Sequence, residues 1–215
     1  MKVVITGTSN GIGLAIAQKF LDEGHEVVGI DKCLAAIKNA RYKHVICDIL
    51  RGELPEIDVV DILINNAGVQ NSGEDIDVNL KGTMRITEKY GVNKGIKSVL
   101  FIASSSARTG AEFAEYAASK GGMVAYMKHI ALRIAKLGAT ANSLSPGGVT
   151  TELNRRVMDD PALWGRIMEL TPLKKWASAE EIADFAYFMT VINKSMTAQD
   201  VLVDNGEDAS AEFIW

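Results

Sequence analysis

Residues 2–13, Lys2-Val3-Val4-Ile5-Thr6-Gly7-Thr8-Ser9-Asn10-Gly11-Ile12-Gly13, restrict the folds open to this chain more than any other stretch. Val3 to Ile5 is a short β-branched apolar run, the pattern of a strand buried in a parallel sheet. Glycines 7, 11 and 13 then permit a tight turn that a Cβ would obstruct. From Ile12 onward the apolar positions Ile12, Ile16 and Phe20 recur at i, i+4, so the chain enters a helix. Strand, glycine turn and helix start together make an anion site. The amides of a first helical turn lack internal partners, and the helix dipole favours negative charge beside them.

The following segments say which anion. Glu26 to Ile30 reads as a second strand ending on Asp31. A carboxylate there accepts hydrogen bonds from both hydroxyls of an adenosine ribose and repels a 2′-phosphate. A dinucleotide pyrophosphate is the usual occupant of a glycine turn in a βαβ unit. Loop and acid together predict NAD rather than NADP, with Lys32 directly after the acid leaving some NADP use open.

Strands and helices alternate along the rest of the chain. Residues 32–43 form a polar connection with at most a brief helix, and His44 to Cys47 is a third strand ending on Asp48. Residues 49–57 contain Pro55 and are too few for a full crossover helix. Val59 to Ile64 is a fourth strand running into Asn65-Asn66-Ala67-Gly68, and Ile76, Leu80 and Met84 space a helix over about 75–90. Val99 to Ala103 is a fifth strand, followed by Ser104-Ser105-Ser106. The longest helix spans about 115–137, with Met123, Met127, Ile130, Ile134 and Leu137 as an apolar stripe facing the core or another subunit. After a sixth strand, Ala139 to Leu144, residues 150–176 read as a mobile insert broken by Pro161 and Pro172. Ser178 and Glu181 form a capping box, and Gln199 to Val203 is a last strand. This alternation predicts an α/β fold: a doubly wound parallel sheet of Rossmann type, three layers α/β/α, in a single domain over 1–215.

Composition bounds the partners. The 215 residues carry a net charge of −4, so no basic surface advertises nucleic acid or an anionic membrane. No apolar run reaches transmembrane length, and Met1 leads straight into the first strand without a signal peptide, which predicts a cytoplasmic protein. Cys33 and Cys47 follow no CxxC spacing and read as buried reduced thiols. His25, His44 and His129 are not paired for a metal.

Tyr116 and Lys120 stand at i, i+4 on the long helix, so their side chains meet on one face. An ammonium beside a phenol favours the phenolate and brings its pKa down from its usual value near 10. Tyr116 can then exchange a proton with a substrate hydroxyl or carbonyl, while Lys120 hydrogen-bonds a ribose. Ser104, at the carboxyl end of a strand, is placed to orient the reacting oxygen.

These motifs resemble, in order, those of the short-chain dehydrogenase/reductase family: Thr6-Gly7-x-x-x-Gly11-Ile12-Gly13, Asp31, Asp48, Asn65-Asn66-Ala67-Gly68, Asn79, Ser104, Tyr116-x-x-x-Lys120 and Pro146-Gly147-x-Val149-x-Thr151. The resemblance implies an oxidoreductase that interconverts a secondary alcohol and a ketone. It assigns Tyr116 as general acid/base, Lys120 as its activator, Ser104 as the group steadying the substrate oxygen, and Asn79 as the holder of a relay water. By the same resemblance the cofactor meets Gly7, Ser9, Asn10, Gly11, Ile12 and Gly13 at its phosphates. Asp48 and Ile49 lie at the adenine, Asn66, Ala67 and Gly68 along the ribose side, and Pro146, Val149 and Thr151 at the nicotinamide. A homodimer or homotetramer paired through the helices at about 75–90 and 115–137 is implied as well. The chain departs from the family in its shortened crossover between Asp48 and Val59, its short stretch from Gly68 to Asn79, and its Ser-to-Tyr spacing, which leaves Ser105 or Ser106 as alternatives to Ser104. The trimmed cleft also admits a cofactor-binding sensor or scaffold without turnover. The insert residues Leu153, Val157, Met158, Leu163, Trp164 and Met168 suit either a hydrophobic substrate or simple packing, and the terminal Phe213-Ile214-Trp215 is expected to be buried.

Overall fold

The computed structural model describes residues 1–111 and 113–209; the terminal Phe213-Ile214-Trp215 lies outside them. The first strand, β1 (Lys2–Thr6), buries Val3, Val4 and Ile5 completely and leads through the glycine turn into α1 (Gly11–Asp22). Next come β2 (Glu26–Asp31), β3 (Tyr42–Ile46) and β4 (Ile62–Asn65). A composite helix follows, in which α2 (Thr83–Ile86) is flanked by π-helical turns at Ile76–Gly82 and Thr87–Gly91. The chain continues with β5 (Ser98–Ile102), the short α3 (Ser106–Thr109), the long α4 (Ala114–Ile134) and β6 (Thr140–Pro146). The insert then runs from β7 (Val149–Thr150) through α5 (Arg155–Met158) and α6 (Pro161–Leu170) to β8 (Ala177–Ser178). Helix α7 (Ala179–Tyr187) and β9 (Asp200–Val203) complete the described fold.

Seven strands form one parallel sheet in the order β3-β2-β1-β4-β5-β6-β9. In register, Val4 of β1 stands opposite Val28 on one side and Leu63 on the other. Helices cover both faces. On one, Ile16, Phe20 and Leu21 of α1 and Ile182 and Ala186 of α7 pack against Val3, Ile5, Ile62, Ile64 and Leu100. On the other, Ile86 and the α4 residues Met123, Met127, Ile130 and Ile134 pack against Val4, Leu63, Val99 and Phe101. Each such side chain contributes roughly 1.5–3 kcal/mol when fully buried. Four of the five stripe residues are therefore core of the chain's own fold, while Leu137 at its end is 39% exposed.

The structure bears out some of these expectations and redraws others. No helix forms in residues 32–41 or 47–61, so both crossovers at the β3 edge are loops; Ile37, Ile49, Leu54 and Val60 plug the faces from these loops. Strand β4 begins at Ile62 because Asp61 ties off its start, accepting from Lys2 N at 2.7 Å and pairing with Lys97 at 2.9 Å. Pro161 opens a helix instead of breaking one: it takes the first helical position, and Asp160 caps it by accepting from Ala162 N and Leu163 N. The insert is clamped at its base by pairing of β7 with β8. The Ser178–Glu181 capping box forms with both reciprocal bonds. Cys33 is exposed, contrary to the expected burial, while Cys47 is buried; both are free thiols.

Candidate active site at the carboxyl edge of the sheet

All seven strands run the same way, so β1, β2, β4, β5 and β6 deliver Gly7, Asp31, Asn66, Ser104 and Pro146 to one edge. The order reverses between β1 and β4, where open α/β sheets form a crevice.

At this crevice the glycine turn is closely packed. Gly7 and Gly11 have φ of 75° and 53°, in the left-handed region that disfavours side chains. A Cβ on Gly13 would lie 2.0 Å from Gly7 O and 2.3 Å from Asn66 Nδ2. The Asn66 amide sits directly under the turn and donates to Thr6 O and Gly7 O at 3.0 Å each. Thr6 Oγ1 accepts from Asn66 N and Ala67 N, also at 3.0 Å, which stitches the ends of β1 and β4 together. Ser9 and Asn10 complete the turn. Asn10 makes no side-chain cap, and no acid stands in the first turn of α1, an arrangement compatible with an anion at its amides. Thr151 reaches back from the insert to within van der Waals distance of a Cβ built on Gly11, at 3.7 Å. Ile12 is half-buried against the α1 face of the sheet.

The two strand-end acids are held by backbone. Asp31 accepts from Ser9 N and Cys33 N, both at 2.9 Å. Asp48 accepts from Leu50 N at 2.7 Å and Arg51 N at 3.1 Å. Burial pushes the Asp48 carboxyl up, but these two amides and the Arg51 charge outweigh it, and its pKa stays below the usual value. Ile49, next to Asp48, is buried in the core cluster.

The catalytic candidates converge beside this cradle. Lys120 is 4% exposed, donates to Ile102 O at 2.9 Å, and places Nζ 5.6 Å from the centre of the Tyr116 ring. Among the described residues no carboxylate pairs with this ammonium, and burial pushes its pKa down to about 8. Gly68 backs onto the same point: a Cβ there would meet Asn79 Oδ1 at 3.1 Å and Lys120 Nζ at 3.6 Å. Asn79, fully buried in the first π-helical turn, accepts from Val69 N at 2.7 Å and donates to Val69 O at 2.8 Å and Ser119 Oγ at 3.0 Å. Ser104 is buried just beyond β5, with Oγ 3.0 Å from Ser106 Oγ and accepting from Ser106 N at 3.2 Å. Pro146 accepts from Ser105 N at 2.8 Å, and Val149 is buried beneath the insert.

Sequence reasoning missed Thr6, Ser119 and Asp75. Asp75 is buried and folds the short 69–75 loop by accepting from Asn71 N and Ser72 N at 2.8 Å each. It also missed Trp176, which lies where a Cβ on Gly148 would come within 2.0 Å of its indole and packs edge-on against Trp164 at 5.0 Å. The Thr6, Ser119 and Trp176 contacts join segments distant along the chain and carry no local signal, whereas Asp75 bonds residues only three and four positions before it.

Comparison with known proteins settles the lineage. A family model described as enoyl-(acyl carrier protein) reductase matches residues 52–207. The chain belongs to the short-chain dehydrogenase/reductase family. A glucose 1-dehydrogenase of Gluconobacter oxydans is 27% identical, covering 99% of this chain and 93% of that protein. A 3-oxoacyl-(acyl-carrier-protein) reductase of Mycobacterium avium is 29% identical, covering 95% and 88% respectively. The aldohexose dehydrogenase of Thermoplasma acidophilum shares the fold, with a TM-score of 0.86 at 24% identity over 100% of this chain and 96% of that one. This short-chain dehydrogenase/reductase is an oxidoreductase of alcohol and carbonyl groups that uses a nicotinamide dinucleotide and acts on a small molecule. Among the described residues no helix is long and apolar enough to cross a membrane, and no cluster of side chains is arranged to hold a metal.

Proposed function

We propose that the protein is an NAD(H)-dependent dehydrogenase of a secondary alcohol, with Tyr116 as its general acid/base. The observation that carries this reading is the buried ammonium of Lys120 beside the Tyr116 ring, held on Ile102 O and without a carboxylate partner among the described residues. An isolated buried charge is costly and is retained where it serves chemistry. Its field favours the Tyr116 phenolate, so the phenol can release or take up a proton at the substrate oxygen near neutral pH. Ser104 hydrogen-bonds that oxygen, and Asn79, rigidly held on Val69 and Ser119, fixes the loop behind Lys120.

The cradle fits a dinucleotide: positive-φ glycines, a Gly13 with no room for a Cβ, and a helix start with neither cap nor acid. Gly7, Ser9, Asn10, Gly11, Ile12 and Gly13 would hold its phosphates, Asp31 its adenosine ribose, Asp48 and Ile49 its adenine, Asn66, Ala67 and Gly68 the adjoining ribose wall, and Tyr116, Lys120, Pro146, Val149 and Thr151 its nicotinamide half. When bound, the nicotinamide accepts or returns the substrate hydride. NAD is preferred over NADP because the Asp31 carboxylate repels a 2′-phosphate, although one relative's structure, from Agrobacterium tumefaciens, carries NADP (26% identical, TM-score 0.83, covering 97% of this chain and 96% of that one). The relatives' names, a glucose dehydrogenase and a 3-oxoacyl-(acyl-carrier-protein) reductase, do not agree on a substrate. A homodimer or homotetramer paired through α2 and α4 is supported by Leu132 of α4, 79% exposed, and by light scattering it is directly testable.

Titration with NADH and NADPH, followed by a ketone panel monitored through NADH absorbance, tests the reading. Tight NADH binding, weaker NADPH binding and turnover of a ketone support it. Tight NADH binding with no turnover across the panel would leave a sensor or scaffold.

A further inference from the structure

Beneath the glycine turn lies a polar network that the reaction chemistry does not require. Thr8 is fully buried, and its Oγ1 lies 2.8 Å from the Tyr42 hydroxyl. Tyr42 Oη is 2.8 Å from Nδ1 of His44, two residues along β3 on the same face. His44 Nε2 is 2.8 Å from the Cys33 carbonyl. Cys33 N donates to one oxygen of Asp31 and Ser9 N to the other, both at 2.9 Å. Because Ser9 follows Thr8 in the chain, these contacts close a ring through Thr8, Tyr42, His44, Cys33, Asp31 and Ser9.

The directions within the ring follow from donor chemistry. A carbonyl accepts only, so Nε2 of the neutral imidazole carries its proton and Nδ1 accepts. Tyr42 then donates to Nδ1, and Thr8 donates to Tyr42 Oη. Burial pushes the Tyr42 phenol above its usual pKa, which keeps it a donor at neutral pH. A second feature points to the same place. Gly29 sits inside β2, where glycine normally weakens a strand. A Cβ there would lie 2.2 Å from Tyr42 Oη and 2.4 Å from Thr8 Oγ1, so this residue keeps open the slot in which the two hydroxyls meet.

We propose that Tyr42 and His44 are positioning residues that hold the Asp31 carboxylate and the Thr8–Ser9 turn in the geometry that binds the adenosine ribose, and so set both cofactor affinity and preference. This rests on the reading of Asp31 as the ribose-binding acid. Tyr42→Phe removes one oxygen from the ring and leaves the packing in place. Its dissociation constants for NADH and for ADP-ribose rise about tenfold, the value of one hydrogen bond to or through a charged group. Its NADH-over-NADPH ratio shrinks, and its KM for NADH rises while kcat at saturation moves less than about twofold. In a double-mutant cycle, Thr8→Val adds nothing further to Tyr42→Phe, because both break the same bond.

A folded Tyr42→Phe protein with unchanged ADP-ribose affinity overturns the proposal. So does an equal loss for NADH and NADPH, which is the mark of packing alone. A wild-type protein without cofactor preference would instead remove the Asp31 reading, and the ADP-ribose titration would still decide the ring. Should Tyr42→Phe fail to fold, ¹⁵N spectra of the wild-type imidazoles decide: His44 as the Nε2–H tautomer supports the ring, and the Nδ1–H tautomer overturns it.

Discussion

The two ends of the sheet are built differently. Between β5 and β6 the connection is the long α4, and between β4 and β5 it is the composite helix around α2. At the β3 edge both connections are loops, residues 32–41 and 47–61. The difference tracks what each end has to hold. Tyr116 and Lys120 need an i, i+4 register that a helix supplies, and Lys120 needs the dry environment of a packed helix face. Asp31 and Asp48 need a strand end and two backbone amides each, which Ser9, Cys33, Leu50 and Arg51 provide. A crossover helix is thus missing beside the two strand-end acids, where Ile46 and Val59 are left at 61% and 52% exposure, and present where Tyr116 and Lys120 share a face.

The comparison can be broken at several points. The largest effect is expected at the catalytic end: Tyr116→Phe should bind NADH within about threefold of wild type while kcat falls about 10³-fold, the scale of a lost general acid/base. Calorimetry and steady-state rates separate the two quantities, and a variant with near-normal kcat would remove Tyr116 from the chemistry. Ile130→Ala, in the fully buried α4 face, should lower unfolding free energy by about 2–5 kcal/mol in urea melts. Asp31→Ala should weaken NADH by about 10- to 100-fold, the value of hydrogen bonds to a charged group, and narrow or invert the preference over NADPH. Lys120 supplies a pH test. Its ammonium must stay charged to favour the phenolate, so kcat/KM should decline as pH rises through about 8, and Lys120→Arg should move that alkaline limb upward. A limb unmoved in the Arg variant would assign it to another group. Smallest of all, Ile46→Lys at the bare edge should change stability by less than about 0.5 kcal/mol. A loss comparable to that of Ile130→Ala would show that the loop-bound edge carries as much core as the helical side.

Much of this could be read from the chain. Alternation of β-branched runs with 3.6-residue periodicity revealed the strands, and the short, proline-containing 49–57 segment revealed a missing helix. Local patterns failed where distant segments decide. Pro161 was read as a breaker because the chain alone does not show that Asp160 turns back to cap Ala162 and Leu163. The π-helical turn that carries Asn79 has no compositional mark, and the partners of Asn79, Val69 and Ser119, lie ten and forty residues away. The hold of the Asn66 amide on the glycine turn is equally invisible locally, because its partners Thr6 and Gly7 lie about sixty residues away in sequence. The methionine stripe fitted core and interface equally until the face it covers was known.

The position of Asn66 has a mechanical consequence. Its amide grips the glycine turn proposed to cradle the phosphates, and Gly68, two residues on, abuts the Lys120 ammonium. Three residues, roughly 10 Å of extended chain at most, thus connect the two working ends of the crevice. They act as a ruler cut into the sheet itself. Dehydrogenases that place cofactor and substrate on separate lobes must close a hinge to bring the reacting atoms into line. In the arrangement proposed above, that alignment would be set by the three residues that follow β4, with motion left to whatever covers the substrate.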